Sequence, residues 1–195
     1  MLGLLKIVIN IYNVQFIWYS TPVNCSYITK NGDKGKTSTS SGIVPKNSNL
    51  ISFIGNLDES NSYIGLCLNY CKDKDLLEIL LKVQNQIFNI GAKINGANLE
   101  ITEEYHIWIE NKANFFFKKL KPIHNFVLPG GSLFSSHLHI CRTILRRTEL
   151  AFWACEEEHR DVNIGKYLNR ISDFFFIIAR VYNNEEIQWE VGKID

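Results

Sequence analysis

Arg142, Arg146 and Glu149 stand four and then three residues apart. On a helix that spacing puts all three on one face. Two guanidiniums on a rigid face suit phosphate or carboxylate, because each is a planar fork of donors that keeps its charge. Arg147 lies about 100° round from Arg146. The face also carries His139 and Trp153, where an ordinary solvated face would carry Lys and Glu. A solvated basic face with an internal Arg–Glu pair is the alternative meaning of the same pattern. No convincing Ser-His-Asp or Cys-His arrangement accompanies these residues. His106, His124, His137, His139 and His159 read as structural or surface residues, and His137 and His139 point to different sides of their helix.

The element that must hold the arginines begins after Pro129-Gly130-Gly131, a sequence that breaks whatever precedes it. Ser132 can cap a new helix. Phe134, Leu138, Cys141, Leu145, Phe152 and Cys155 then recur mostly at three- and four-residue steps, and the helix reads to about Glu158. Four further amphipathic stretches surround it. One covers 50–71, with Leu50, Phe53, Leu57, Ile64 and Cys67 as its stripe and Asp58 and Glu59 inside it. A second is capped by Asp73 and runs to about Lys93. A third starts at Thr102-Glu103-Glu104, a capping-type signal, and runs to Leu120. A fifth starts at Asp161 or Asn163 and runs through Val181, with Asn169, Arg170 and Asp173 within about one turn of each other. The chain after Asn184, including Trp189, reads as a frayed end. Five amphipathic helices with short connections predict an all-α bundle, and no strand-period segment competes with them.

Hydrophobic residues make up 46% of the 195, charged ones 21%, and the net charge is +1. That balance belongs to a soluble globular domain and argues against bulk nucleic-acid binding. Five cysteines at 25, 67, 71, 141 and 155 do not suggest a disulfide framework, and Cys67 and Cys71 read as small apolar residues rather than metal ligands. Residues 27–49 form a polar loop rich in Gly, Ser, Thr and Lys. Gly35-Lys36-Thr37 inside it is not a P-loop, because that motif needs glycine where Lys30 stands. The loop can still cradle phosphates through backbone N–H groups, hydroxyls and lysines. Residues 1–26 carry no acidic residue and no arginine. They read as a targeting peptide or a disordered tail, without a clean apolar run long enough to span a membrane.

Five segments carry a resemblance: T-K-N-G-D-K-G at 29–35, G-N-L-D-E-S-N-S at 55–62, F-V-L-P-G-G at 126–131, C-R-T-I-L-R-R-T-E at 141–149 and Y-L-N-R-I-S-D at 167–173. In this order and spacing they resemble the PduO-type ATP:cob(I)alamin adenosyltransferases, over about residues 27–185. The resemblance implies a ferritin-like five-helix bundle with an N-terminal nucleotide-binding loop, assembled as a homotrimer with active sites between subunits. It implies transfer of the 5′-deoxyadenosyl group of ATP to the cobalt of reduced cobalamin, with triphosphate released and Mg²⁺ on the phosphates. By the same resemblance Thr29, Lys30, Asn31, Gly32, Thr37, Ser38 and Lys46 wrap ATP, and Arg146 and Arg147 hold phosphates. Glu149 and Asn169 complete the nucleotide site. Asp58 pairs with Arg142, and Phe126 lies at the lower face of the corrin.

The domain reading is therefore a tail at 1–26, a bundle domain at 27–185 and a C-terminal tail at 186–195. The compartment is mitochondrial if 1–26 is a presequence and cytoplasmic otherwise. A reductase and an adenosylcobalamin-dependent acceptor enzyme are the partners implied, with no nucleic acid and no membrane. Asn31, Asn56, Ser60 and Leu150 depart from the family pattern. Leu150 stands where Arg is common, so one cationic contact is missing. A cobalamin-binding chaperone without turnover, or another ATP-dependent phosphotransferase on a helical bundle, are the alternatives.

Overall fold

The structure is a computed structural model that describes residues 30, 32–40 and 42–193. The chain divides into two units, one ending at Lys34 and one beginning at Gly35. In the first, Lys30 has a left-handed backbone (φ 58°) and its carbonyl accepts a hydrogen bond from the Asp33 N–H at 3.2 Å. Residues 1–26, like Thr29 and Asn31, lie outside the described residues.

The second unit opens with a hairpin where the sequence reading has only a loop. Strand β1 (Lys36–Thr39) pairs antiparallel with β2 (Gly42–Pro45). The turn is short, and Gly42 supplies its positive φ of 117°. One strand of Lys, Thr and Ser and one of Gly-Ile-Val-Pro, four residues each, carry too little apolar alternation to be seen in the sequence. Ser40 lies against Gly96, where an added Cβ would come within 2.8 Å of its hydroxyl oxygen.

Five helices follow: α1 (Asn49–Tyr70), α2 (Lys74–Ile94), α3 (Glu104–Phe117), α4 (Leu133–Ala154) and α5 (Val162–Val181). Four are capped as their sequences direct. Ser48, Asp73, Ser132 and Asp161 each accept a hydrogen bond from a backbone N–H of the first turn. The expected cap at Thr102 does not form: α3 starts from Glu103 in helical geometry with no side-chain cap. Only the Thr102 carbonyl takes part, accepting from Tyr105 N–H at 3.2 Å. α3 also stops at Phe117, short of Leu120. α4 ends at Ala154 rather than near Glu158, because Cys155 is extended and its carbonyl is taken by the Arg160 Nε–H at 2.7 Å. A 3₁₀ turn at Glu157–His159 bridges to α5.

α4 packs between α1 and α5, α5 also packs on α3, and α1 on α2. The three- and four-residue steps place Phe53, Ile64, Leu138, Leu145, Phe152, Leu168, Ile171 and Phe175 in one fully buried core. Some polar groups inside are paired. Ser60 and Thr148 hydroxyls meet at 2.7 Å, and Tyr167 donates to Gln86 at 2.8 Å.

The Pro-Gly-Gly turn is locked onto the end of α5. Ser132 Oγ donates to the Tyr182 carbonyl, and Ser135 Oγ to that of Ala179. Asn183 Oδ1 accepts from Ser132 N–H. Gly131 has φ 95°, and a Cβ there would fall 2.0 Å from Asn183 Oδ1. Gly131→Ala is therefore expected to cost roughly 1–3 kcal/mol in backbone strain alone. Displacing Asn183 adds to that. A thermal melt followed by circular dichroism should drop by about 5 °C or more; an unchanged melt would mean the turn is not held as described.

Candidate active site

Two flanks of α4 do different work. Thr148 faces α1, where its hydroxyl lies 3.0 Å from the Asn56 carbonyl. Arg142 is six residues away from Thr148, about 120° round the helix. With Arg146, Glu149 and Trp153 it lies on the flank turned to α5. Glu149 accepts from Asn169 Nδ2 at 3.2 and 3.3 Å. Arg170 donates to Asn169 Oδ1 at 2.6 Å and to Glu110 Oε1 at 2.7 Å. One polar chain thus ties α3, α5 and α4 together beside the arginines. At the end of this flank the helices come very close: a Cβ on Gly165 would fall 2.3 Å from the Trp153 ring. α5 presents Gly165, Asn169, Asp173, Phe176 and Arg180 at three- and four-residue steps, so they form one strip along the same seam.

Two cations of the seam are without an ion-pair partner. Among the described residues neither Arg142 nor Arg146 makes an ion pair. Arg142 Nε is buried without a hydrogen-bond partner. Burial, and then the charge of Arg146, holds the Arg142 guanidinium below its usual pKa. Asp173 is pushed up by desolvation, with Arg170 and Arg146 pulling against it. His139 is buried against Phe176, and burial followed by Arg142 lowers it, so it is neutral near pH 7. Two guanidiniums without an ion-pair partner, beside Glu149 and Asp173 on one helix flank, can take an anion.

The structure departs from the sequence reading at two residues. Arg147 does not share the seam. It reaches across to α1, donating to Asn56 Oδ1 at 3.0 Å and Glu59 Oε2 at 2.5 Å. One residue further along turns the side chain ~100° away from Arg146. Asp58 does not pair with Arg142 within the chain. It is exposed on α1 and makes no ion pair among the described residues, whereas Arg142 lies on the α4 flank away from α1.

Phe126 is 78% exposed, so it is not a core anchor. Its backbone is nonetheless held. Trp189 N–H donates to the Phe126 carbonyl at 2.7 Å, and Leu128 N–H to that of Ile187 at 2.8 Å, around an antiparallel bridge between Val127 and Gln188. The chain beyond Asn184 is therefore paired here rather than frayed. On the hairpin, Thr37 and Ser38 are paired with Val44 and Ile43, and Lys46 N–H donates to the Gly35 carbonyl at 2.9 Å. Lys30 and Gly32 belong to the preceding unit. Glu110, Asn183 and Glu186 carry no motif of their own, and their roles come only from partners far along the chain.

A groove between α2 and α3, where Lys82 Nζ sits 4.3 Å over the Trp108 ring, contains none of these residues. Its lysines face Asp75 and Glu78, so its charges balance. Among the described residues no group of three or more His, Cys, Asp or Glu side chains is placed to hold a metal. No described helix is long and apolar enough to cross a membrane.

A five-helix bundle with an unpaired arginine seam on its fourth helix defines a helical-bundle protein built to hold an anionic small molecule. Residues 27–182 match the family model for cobalamin adenosyltransferase, and the chain belongs to that family. The corrinoid adenosyltransferase of Bacillus subtilis is 38% identical over 166 residues, covering 80% of this chain and 85% of the relative. Human corrinoid adenosyltransferase MMAB is 33% identical, covering 82% of this chain and 70% of the human protein. Among solved structures, a variant PduO-type ATP:corrinoid adenosyltransferase from Lactobacillus reuteri, complexed with cobalamin and ATP, superposes with a TM-score of 0.80 at 27% identity. The match covers 86% of this chain and 98% of that one.

Proposed function

We infer that this chain is an ATP:corrinoid adenosyltransferase. Family membership over 27–182 carries the reading, and the unpaired cations of α4 support it. The cobalt of cob(I)alamin attacks C5′ of ATP with its own electron pair. The Co–C bond forms, the C5′–O bond breaks, and the pair leaves with triphosphate. No general base is needed, because the nucleophile carries no proton. Negative charge grows on the leaving oxygen and its phosphate, so Arg146 and Arg142 contribute most in the transition state. Glu149 and Asn169 fix the edge of the nucleotide site. Thr29, Lys30, Asn31, Gly32, Thr37, Ser38 and Lys46 are the further ATP-binding residues of this reading. Mg²⁺ accompanies the phosphates, with oxygen ligands from ATP and water rather than a protein cage. Phe126, exposed and backbone-locked, takes the lower face of the corrin.

The assembly we propose is a homotrimer with the site between subunits. α4 turns Leu133 and Ile140, seven residues apart on one face, to solvent at 60% and 42% exposure; apolar side chains gathered on one face are what an interface covers. An exposed Asp58 and an unpartnered Arg142 are then the two halves of a pair made between subunits. Light scattering should give about three times the 22.5 kDa chain mass. Asp58→Asn and Arg142→Met should each weaken assembly, by roughly 3–5 kcal/mol if the pair is buried, and the double variant by less than their sum. Strict additivity, or a fully active monomer, would remove the shared pair.

Mixing ATP with chemically reduced cobalamin tests the activity directly. Adenosylcobalamin should appear in the visible spectrum, with triphosphate as the second product. Diphosphate or orthophosphate would mark a phosphotransferase, and binding without turnover a chaperone.

A further inference from the structure

The tail beyond α5 is held by one buried arginine. Arg180, in the last turn of α5, has a side chain only 4% exposed. Its guanidinium donates to Glu186 Oε1 at 2.6 Å and Oε2 at 3.1 Å, and to the Lys121 carbonyl at 3.1 Å. Lys121 begins the segment that leads to Phe126, and Glu186 begins the strand that pairs with it. One fork therefore ties both the segment leading to Val127 and the tail leading to Gln188 to the end of α5, and these two segments meet in an antiparallel bridge. A bidentate guanidinium–carboxylate pair in this degree of burial is stronger and more directional than a surface ion pair. Asn183 adds a second tie, with Nδ2 donating to the Glu185 carbonyl at 2.7 Å.

The bridge decides where the Phe126 ring goes. Successive side chains on a strand point to opposite faces. Val127 is turned inward at 9% exposure, so Phe126 and Leu128 turn outward. Trp189 is the cross-strand neighbour of Phe126 on that outer face, with ring centroids 6.3 Å apart. Without the tail strand, nothing else described bonds the Phe126 carbonyl or the Leu128 N–H. A single unpaired strand in a loop has no fixed pleat.

We propose that Arg180 and Glu186 form a clamp that positions Phe126 through the tail strand, and so control the orientation of the corrin-facing ring without touching either substrate. This rests on the reading of Phe126 given above. Misplacing a group at a reacting centre by about 1 Å lowers turnover by up to roughly a hundredfold, so a clamp of this kind is visible in kinetics.

The test uses Glu186→Gln, Phe126→Ala and the double variant, assayed for adenosyl transfer with ATP and cob(I)alamin. Hydrogen exchange over residues 126–131 is measured on the ligand-free proteins. Glu186→Gln should lower kcat roughly ten- to a hundredfold, leave KM for ATP unchanged, and speed exchange of the Leu128 amide. In the Phe126→Ala background the same change should have little further effect on kcat. Glu186→Asp, which keeps the carboxylate, should restore part of the loss. If Glu186→Gln does not fold, Trp189→Pro removes the N–H that bonds the Phe126 carbonyl together with the neighbouring indole ring, and the same outcomes apply. Full turnover in Glu186→Gln beside a crippled Phe126→Ala overturns the clamp. So do losses that multiply in the double variant. Full turnover in Phe126→Ala overturns the corrin-facing ring itself, and the clamp with it.

Discussion

Arg146→Ala should lower kcat/KM for ATP by roughly 30- to 1,000-fold while the protein melts almost where the parent does. The kinetic figure follows from losing one preorganised charge-assisted donor, worth roughly 2–4 kcal/mol, at 1.36 kcal/mol per tenfold. The stability figure follows from the surroundings. Arg146 is exposed and makes no ion pair among the described residues, so the folded chain loses no partner with it. Surface changes of this kind stay within about 0.5 kcal/mol. The change also relieves Arg142 of a neighbouring like charge. Arg146→Lys separates charge from geometry: it keeps the charge and loses the fork, so it should recover only part of the loss. By contrast, Arg147→Ala should leave kcat/KM for ATP nearly intact, because that side chain is spent on Glu59 and Asn56. Steady-state kinetics at saturating cob(I)alamin, run beside a thermal melt, check all three. An unchanged kcat/KM in Arg146→Ala would take Arg146 out of the site.

Phe126→Ala should cut turnover by about a hundredfold, equivalent to about 2.7 kcal/mol at 1.36 kcal/mol per tenfold. Its melting temperature and its ATP affinity should stay close to those of the parent. A buried phenylalanine would lose roughly 3–5 kcal/mol of stability on the same change. At 78% exposure this ring has little burial to lose. Its backbone bonds to the tail strand survive the substitution, so the segment keeps its course. The role proposed for the ring is to occupy the lower face of the corrin, where cobalamin's own axial base would otherwise bind. Displacing that base leaves four-coordinate cobalt, which is easier to reduce. The visible signature of four-coordinate cob(II)alamin in the ATP complex should therefore disappear in the variant. A variant that keeps the signature and melts early would return Phe126 to a structural role.

Much of the bundle is legible in the chain because helices are written in short-range code. Caps at Ser48, Asp73, Ser132 and Asp161 act on N–H groups two or three residues away. The stripes that bury Phe53, Ile64, Leu138 and Leu145 repeat every three or four residues. The alignment of Arg142, Arg146 and Glu149 is a property of helical pitch alone. Where the local code is weak, the reading slips. Thr102 resembles a cap without making one, and the two four-residue strands of the hairpin are too short for the alternation that announces a strand.

The rest depends on partners that no local pattern names. Arg147 and Arg146 are adjacent and chemically identical, yet only packing assigns the first to Glu59, 88 residues away. The turn at Gly131 is closed by Asn183, 51 residues after Ser132. Arg180 reaches Lys121 across 59 residues, and through Glu186 it draws the tail onto the Phe126 strand. Periodicity says which face of a helix is apolar, but it is blind to which neighbour that face meets. An exposed aromatic and a buried one have the same letter. Residue types and spacing therefore supply the five helices and the arginine flank. The direction of Phe126, the separation of Asp58 from Arg142 and the pairing of the tail follow from how those helices pack, because contacts over such distances exist only once the chain has closed on itself.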